Sequence, residues 1–101
     1  MSPERFNPKA LAARANEVRS FDDPELGLVE FKLLTGAEMM VLERQELPAD
    51  TLGLKAAYMM ISKAHPEITE EDLTAMDASL FAHLLKRLME EAGFQEVTKH
   101  A

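Results

Sequence analysis

Val29-Glu30-Phe31-Lys32-Leu33-Leu34-Thr35-Gly36-Ala37-Glu38 decides the fold of this chain, because its period changes partway along. Val29 to Leu33 alternates apolar and polar residues, the pattern of a strand with one buried face. At Thr35 the alternation ends. Thr35 is an N-cap residue, and Glu38 three positions on completes a capping box, so a helix starts here. Upstream, Glu17-Val18-Arg19-Ser20-Phe21 alternates in the same way. The intervening Asp22-Asp23-Pro24-Glu25-Leu26-Gly27 is rich in turn residues. The reading is a β-hairpin with a longer loop, in which Val18 and Phe21 face Val29, Phe31 and Leu33.

Downstream the chain reads as helices. The capped helix runs to about Gln45 and is stopped by Leu47-Pro48, since a residue before proline avoids the α region. A second helix starts at Asp50-Thr51 and ends near Ala64. Leu54, Ala57, Tyr58, Ile61 and Ala64 fall at helical spacing, and Leu52, Ala56, Met59 and Met60 widen the apolar surface beyond one stripe. That places this helix centrally, with neighbours on several sides. His65-Pro66 breaks it. Thr69 caps a short acidic turn, with Leu73 and Met76 pointing inward. Asp77 caps a last helix with a stripe of Leu80, Phe81, Leu84, Leu85, Leu88 and Met89. Its polar side carries His83, Lys86, Arg87, Glu90 and Glu91. Gly93 reads as a C-terminal stop with Phe94 packed behind it.

The fold class expected is therefore mainly α (α+β): a short hairpin followed by a compact bundle of three to four helices. Residues 17–94 form one domain. Residues 1–16 are a flexible arm or a short helix started by Asn7-Pro8, and 95–101 a flexible tail.

Composition narrows the function classes. The formal charge is −7 over 101 residues, with Asp and Glu 18 against Lys and Arg 11. That opposes nucleic acid and an anionic membrane as partners. With no cysteine, disulfides, thiolate metal sites and cysteine nucleophiles are all removed. Neither a signal-peptide core nor a run long enough to span a bilayer is visible, so a cytoplasmic protein of a bacterial host cell is expected. His65, His83 and His100 have no second metal ligand at helical or hairpin spacing and read as solvated. Ser20, Ser62 and Ser79 lack a nucleophile elbow. The acidic run Glu67 to Asp72 lacks the alternating ligands of a calcium loop. Glu43, Arg44, Lys86 and Arg87 read as ordinary solvated helix surface. No enzyme and no cofactor is expected.

Two doubled methionines remain, Met39-Met40 and Met59-Met60. Adjacent helical residues point about 100° apart. Either both pairs fill a loose core between two helices, or one member of each lines an apolar groove for a protein partner, a use to which flexible, polarizable methionine is suited. Met39, Met40, Met59 and Met60 are therefore candidate partner-binding residues. Val29 and Phe31 join them, because an open hairpin edge can accept a partner strand.

Phe31-Lys32-Leu33-Leu34 running into Thr35-Gly36-Ala37-Glu38, an apolar second helix, a proline break, Ile68-Thr69-Glu70-Glu71-Asp72-Leu73 and Asp77-x-x-Leu80-Phe81-x-x-Leu84 occur in that order. This pattern, over residues 28–93, resembles the small tail assembly chaperones of long-tailed bacteriophages and prophages. The resemblance implies a non-enzymatic protein that coats the long, largely helical tape-measure protein before tail-tube subunits polymerise around it. Some members are also made as a longer frameshifted product. A structural tail or virion component that self-assembles by extending a sheet between copies through Val29 to Leu33, or a small self-associating adaptor, is the competing expectation.

Overall fold

The computed structural model describes residues 5–93. The chain folds as α1 (Pro8–Ala12), a 3-10 turn (Ala13–Asn16), β1 (Arg19–Asp23), β2 (Gly27–Phe31), α2 (Gly36–Arg44), α3 (Ala49–Ala64), α4 (Glu70–Thr74) and α5 (Ala78–Ala92). The expected class, a hairpin followed by a helical bundle, is the one observed.

The hairpin is tighter than the alternation predicts. β1 and β2 pair antiparallel with Phe21 opposite Val29 and Asp23 opposite Gly27, so only Pro24, Glu25 and Leu26 form the loop. Two features close it. Asp23 Oδ1 accepts the backbone N–H groups of Glu25 at 2.9 Å and Leu26 at 3.1 Å, an Asx turn that satisfies the donors of the bend. Gly27 then takes φ +83°, open to glycine without a Cβ clash. Val18 falls outside the strand and is exposed, and Leu33 lies beyond β2 on the way to α2. On the inner face Phe21 and Phe31 meet edge to face with centroids 6.1 Å apart.

The helix boundaries follow local chemistry. Thr35 and Glu38 form a complete capping box at α2, and Thr69 and Asp72 form another at α4. Asp77 accepts from the N–H groups of Ser79 and Leu80 at the start of α5, and Gly93 ends α5 in the left-handed region. The expected packing of Phe94, and the tail at 95–101, lie outside the described residues.

α3 is the central element. It packs against β2, α2, α4 and α5. Ala57 and Met60 on it are fully buried, and with Phe21, Phe31, Ile61, Leu73, Leu84 and Leu88 they form the core. The N–H of Lys32 donates to the Met60 carbonyl at 2.9 Å, which seats the exit of the hairpin on α3. Lys63 then clamps the next segment. Its Nζ donates to the Leu33 carbonyl at 2.6 Å and to Glu38 Oε1 at 2.7 Å. Burial raises the Glu38 carboxyl pKa, but the hydrogen bonds from Lys63 and from the Thr35 N–H, together with the Lys63 charge, outweigh it and hold it below its ordinary value.

The polar side of α5 is not merely solvated. Burial pushes the Asp23 carboxyl up. The Glu25 N–H, the His83 hydrogen bond, the Leu26 N–H and the His83 charge outweigh that, so it titrates below the ordinary aspartate. His83 Nε2 lies 2.7 Å from Asp23 Oδ2. Arg87, one turn on, stacks its guanidinium 4.7 Å from the Phe21 ring centre, with Nε 3.5 Å from the same Asp23 oxygen. His83 and Arg87 are thus corrected from solvated surface to the underside of the hairpin. The reason is that the hairpin folds over one edge of the α5 polar face.

Candidate functional site

The residues expected to bind a partner do not gather in one place. Met60 is sealed beneath α3 and Phe31 beneath the hairpin, both in the core. Neither presents its side chain to a partner, which corrects the place of Met60 among the candidates: Met60 is on the side of α3 that meets β2, and Phe31 sits on the inner face of β2, so that only its backbone is left for the strand-edge contact expected of it. Met39 and Met59 are half-buried. Met40 is 52% exposed and stands beside Val41, 53% exposed, on the outer face of α2. The doubled methionines therefore divide, as a 100° offset requires.

Val29 opens onto a different feature. Between the hairpin and the helices lies an apolar groove of about 390 Å³. Ile61 of α3, Leu73 of α4 and Leu84 of α5 form its buried floor. Leu26 and Val29 from the hairpin and Ile68 and Met76 from the flanks of α4 form its walls. The methionine of this groove is Met76, not one of the doubled pairs.

The rim is polar and charged. His65, just past the end of α3, presents Nε2 to Glu30 Oε1 at 3.1 Å and Nδ1 to Glu67 Oε1 at 3.3 Å. Both contacts are hydrogen bonds at once only in the doubly protonated ring, since neutral imidazole has a single N–H. Leu28, on the outer face of β2, completes the rim and is 65% exposed. The arrangement is an apolar trough under a Glu30–His65–Glu67 clasp. Concave apolar surface with a few convergent polar groups is the usual form of a binding site. Leu28 was legible as an apolar residue in the outward phase of the strand. The clasp was not, since its members come from β2 and from the segment that follows α3.

Among the described residues, no group of three or more His, Cys, Asp or Glu side chains is placed to hold a metal ion. No described helix is long and apolar enough to cross a membrane. No protein-family model, curated protein or solved structure matches the chain.

Proposed function

We propose that this chain is a non-enzymatic binding module that holds an apolar segment of another protein, and that it serves as a tail assembly chaperone for a tape-measure protein. The observation that carries the reading is the trough floored by Ile61, Leu73 and Leu84 with the exposed Leu28 at its rim. Met76 in its wall is flexible and polarizable and can adjust to apolar side chains of different shape. The acidic exterior supports the role of keeping an apolar client in solution. The order of capped elements from residue 28 to residue 93 supports the choice of client.

The test is co-purification of the full chain with a co-expressed tape-measure protein of a long-tailed phage, using the wild type and Leu28→Lys. Leu28 is exposed on the rim, so the variant keeps its circular dichroism. Capture of the tape-measure protein by the wild type, and its loss in the variant, is expected. Equal capture by both would remove the trough from the reading. No capture by the wild type would remove the chaperone role.

A further inference from the structure

The segment 5–16 has a character opposite to the rest of the chain. It carries Arg5, Lys9 and Arg14 with no acidic residue among them, while all but one of the 18 acidic residues lie from Glu17 onward. Its apolar side chains are also uncovered. Phe6 is 81% and Leu11 49% exposed, and neither α1 nor the 3-10 turn buries a residue. Among the described residues, Arg5, Lys9 and Arg14 form no ion pair. The segment lies along the β2–α2 junction but leaves a second cleft of about 450 Å³ between itself and Leu33, Leu34, Thr35 and Gly36.

This cleft runs into the outer face of α2. Ala37, Met40 and Val41 follow Gly36 at helical spacing, all exposed. At the far end of the same helix and the start of α3 stand Glu43, Glu46 and Asp50, exposed and in no ion pair among the described residues, with Arg44 the single cation. Along α2 the exposed surface thus passes from the basic, apolar segment 5–16 beside Gly36, through Met40 and Val41, to Glu43 and Arg44, with the exposed Glu46 and Asp50 next in the chain.

We infer that this face is a self-association surface: a second copy of the chain covers it about a two-fold axis, with segment 5–16 of each copy laid against the acidic end of α2 on the other. A two-fold contact uses the same patch on both copies and needs a self-complementary surface. A face basic at one end and acidic at the other meets that need when two copies run in opposite directions. The charge distribution selects this occupant over an anionic membrane or nucleic acid, because the acidic body bound to the segment repels both. The exposed large apolar side chains on it are four, Phe6, Leu11, Met40 and Val41, against the roughly 20–30 residues a side of a stable complex, so the association is reversible and depends on concentration.

Sedimentation velocity of the full chain over a concentration series tests this. The wild type is expected to pass from monomer to dimer, with the dissociation constant rising severalfold or more between about 0.05 M and about 0.5 M salt as charge is screened. Phe6→Asp with Leu11→Asp alters two exposed side chains and leaves the helical signal unchanged. It is expected to weaken association at least tenfold, as is the separate change Met40→Asp. Arg5→Glu, Lys9→Glu and Arg14→Glu together weaken it, and Glu43→Lys with Asp50→Lys on a second chain restores it on mixing. Leu28→Lys, on the other trough, leaves it unchanged, so this result is independent of client binding. A wild type that stays monomeric at every concentration overturns the inference. So does a dimer indifferent to the Phe6 and Met40 changes. Binding of the wild type to phosphatidylglycerol vesicles without self-association would assign the segment to a lipid surface instead.

Discussion

Asp23 Oδ2 and His83 Nε2 stand 2.7 Å apart although 60 residues separate them in the chain. The contact joins the hairpin turn to the middle of α5. Asp23 is 5% exposed and uses both oxygens. Oδ1 closes its own turn through the N–H groups of Glu25 and Leu26, and Oδ2 faces His83 and Arg87. One carboxylate therefore holds the shape of the hairpin and fixes it to the bundle. A charge-assisted hydrogen bond in a partly dry setting is stronger than an exposed pair. The buried Nε of Arg87 finds no hydrogen-bond partner among the described residues, while its guanidinium charge lies over the Phe21 ring in a cation–π contact.

This carboxylate gives stability a pH dependence, to which Glu38 adds in the same direction. The Asp23 pKa is lower in the folded chain than in the unfolded one, so its contribution is fully present above the ordinary aspartate value of about 3.9 and is lost as pH falls through the depressed folded value. Thermal unfolding followed from neutral pH down to about pH 3 is expected to show a falling midpoint. Asp23→Asn, which cannot carry the charge, is expected to start lower and fall less steeply. Parallel curves for the two proteins would remove Asp23 from the acid transition.

Glu46 follows α2 at φ 52°, in the left-handed region that costs a side-chain-bearing residue about 1 kcal/mol or more. The residue is exposed and caps nothing by its side chain among the described contacts. Glu46→Gly is expected to stabilise the fold by about 0.5–1 kcal/mol, read as a higher urea midpoint with an unchanged slope. A destabilised variant would show that the carboxylate holds a contact worth more than the strain.

Phe31 and Met40, both named from sequence as partner-binding, should behave in opposite ways. Phe31→Ala opens a cavity beside Phe21 and α3 and is expected to cost about 3–5 kcal/mol. Met40→Ala, on the outer face of α2, is expected to change stability by less than about 0.5 kcal/mol. Chemical denaturation at low protein concentration measures both. Similar losses at the two positions would contradict the burial described here.

The capping box at α2 is a further point of leverage. Thr35 Oγ1 accepts the Glu38 N–H at 3.1 Å, and Glu38 Oε1 accepts the Thr35 N–H at 2.8 Å. Glu38 also holds Lys63. Thr35→Ala is expected to cost about 1 kcal/mol, and Glu38→Ala more, because it frees the Lys63 ammonium against α3 as well. Amide exchange at Thr35 and Glu38 should rise in both variants. Unchanged exchange at Thr35 in Glu38→Ala would show that the box does not order this end of α2.

The helices were legible where partners are close in sequence. Thr35 and Glu38, Thr69 and Asp72, and Asp77 and Leu80 are three residues apart. The α5 stripe repeats every three to four positions, and its deepest residues, Leu84 and Leu88, are one turn apart. The hairpin was legible as a hairpin but not in its bounds. Alternation marks which residues share a face, whereas the strand ends were set by Asp23 and Gly27, whose turn geometry shortens the loop. The site was legible only in part. Val29 lines the trough, but the flexible methionine chain carries no directional group, and nothing local told Met60 from Met40.

By itself the sequence determined the succession of elements: a hairpin and then capped helices around an apolar α3. Interactions across three or four residues decide these, and local spacing encodes them directly. Tertiary structure alone decided that Asp23 meets His83 and Arg87, that Lys63 clamps Leu33 and Glu38, which methionine of each pair turns inward, and that the trough forms under Glu30, His65 and Glu67. Those contacts join residues up to 60 positions apart. They exist because packing the hairpin and the helices around α3 removes apolar surface from water, and the polar groups drawn together by that packing then pair with one another rather than with solvent.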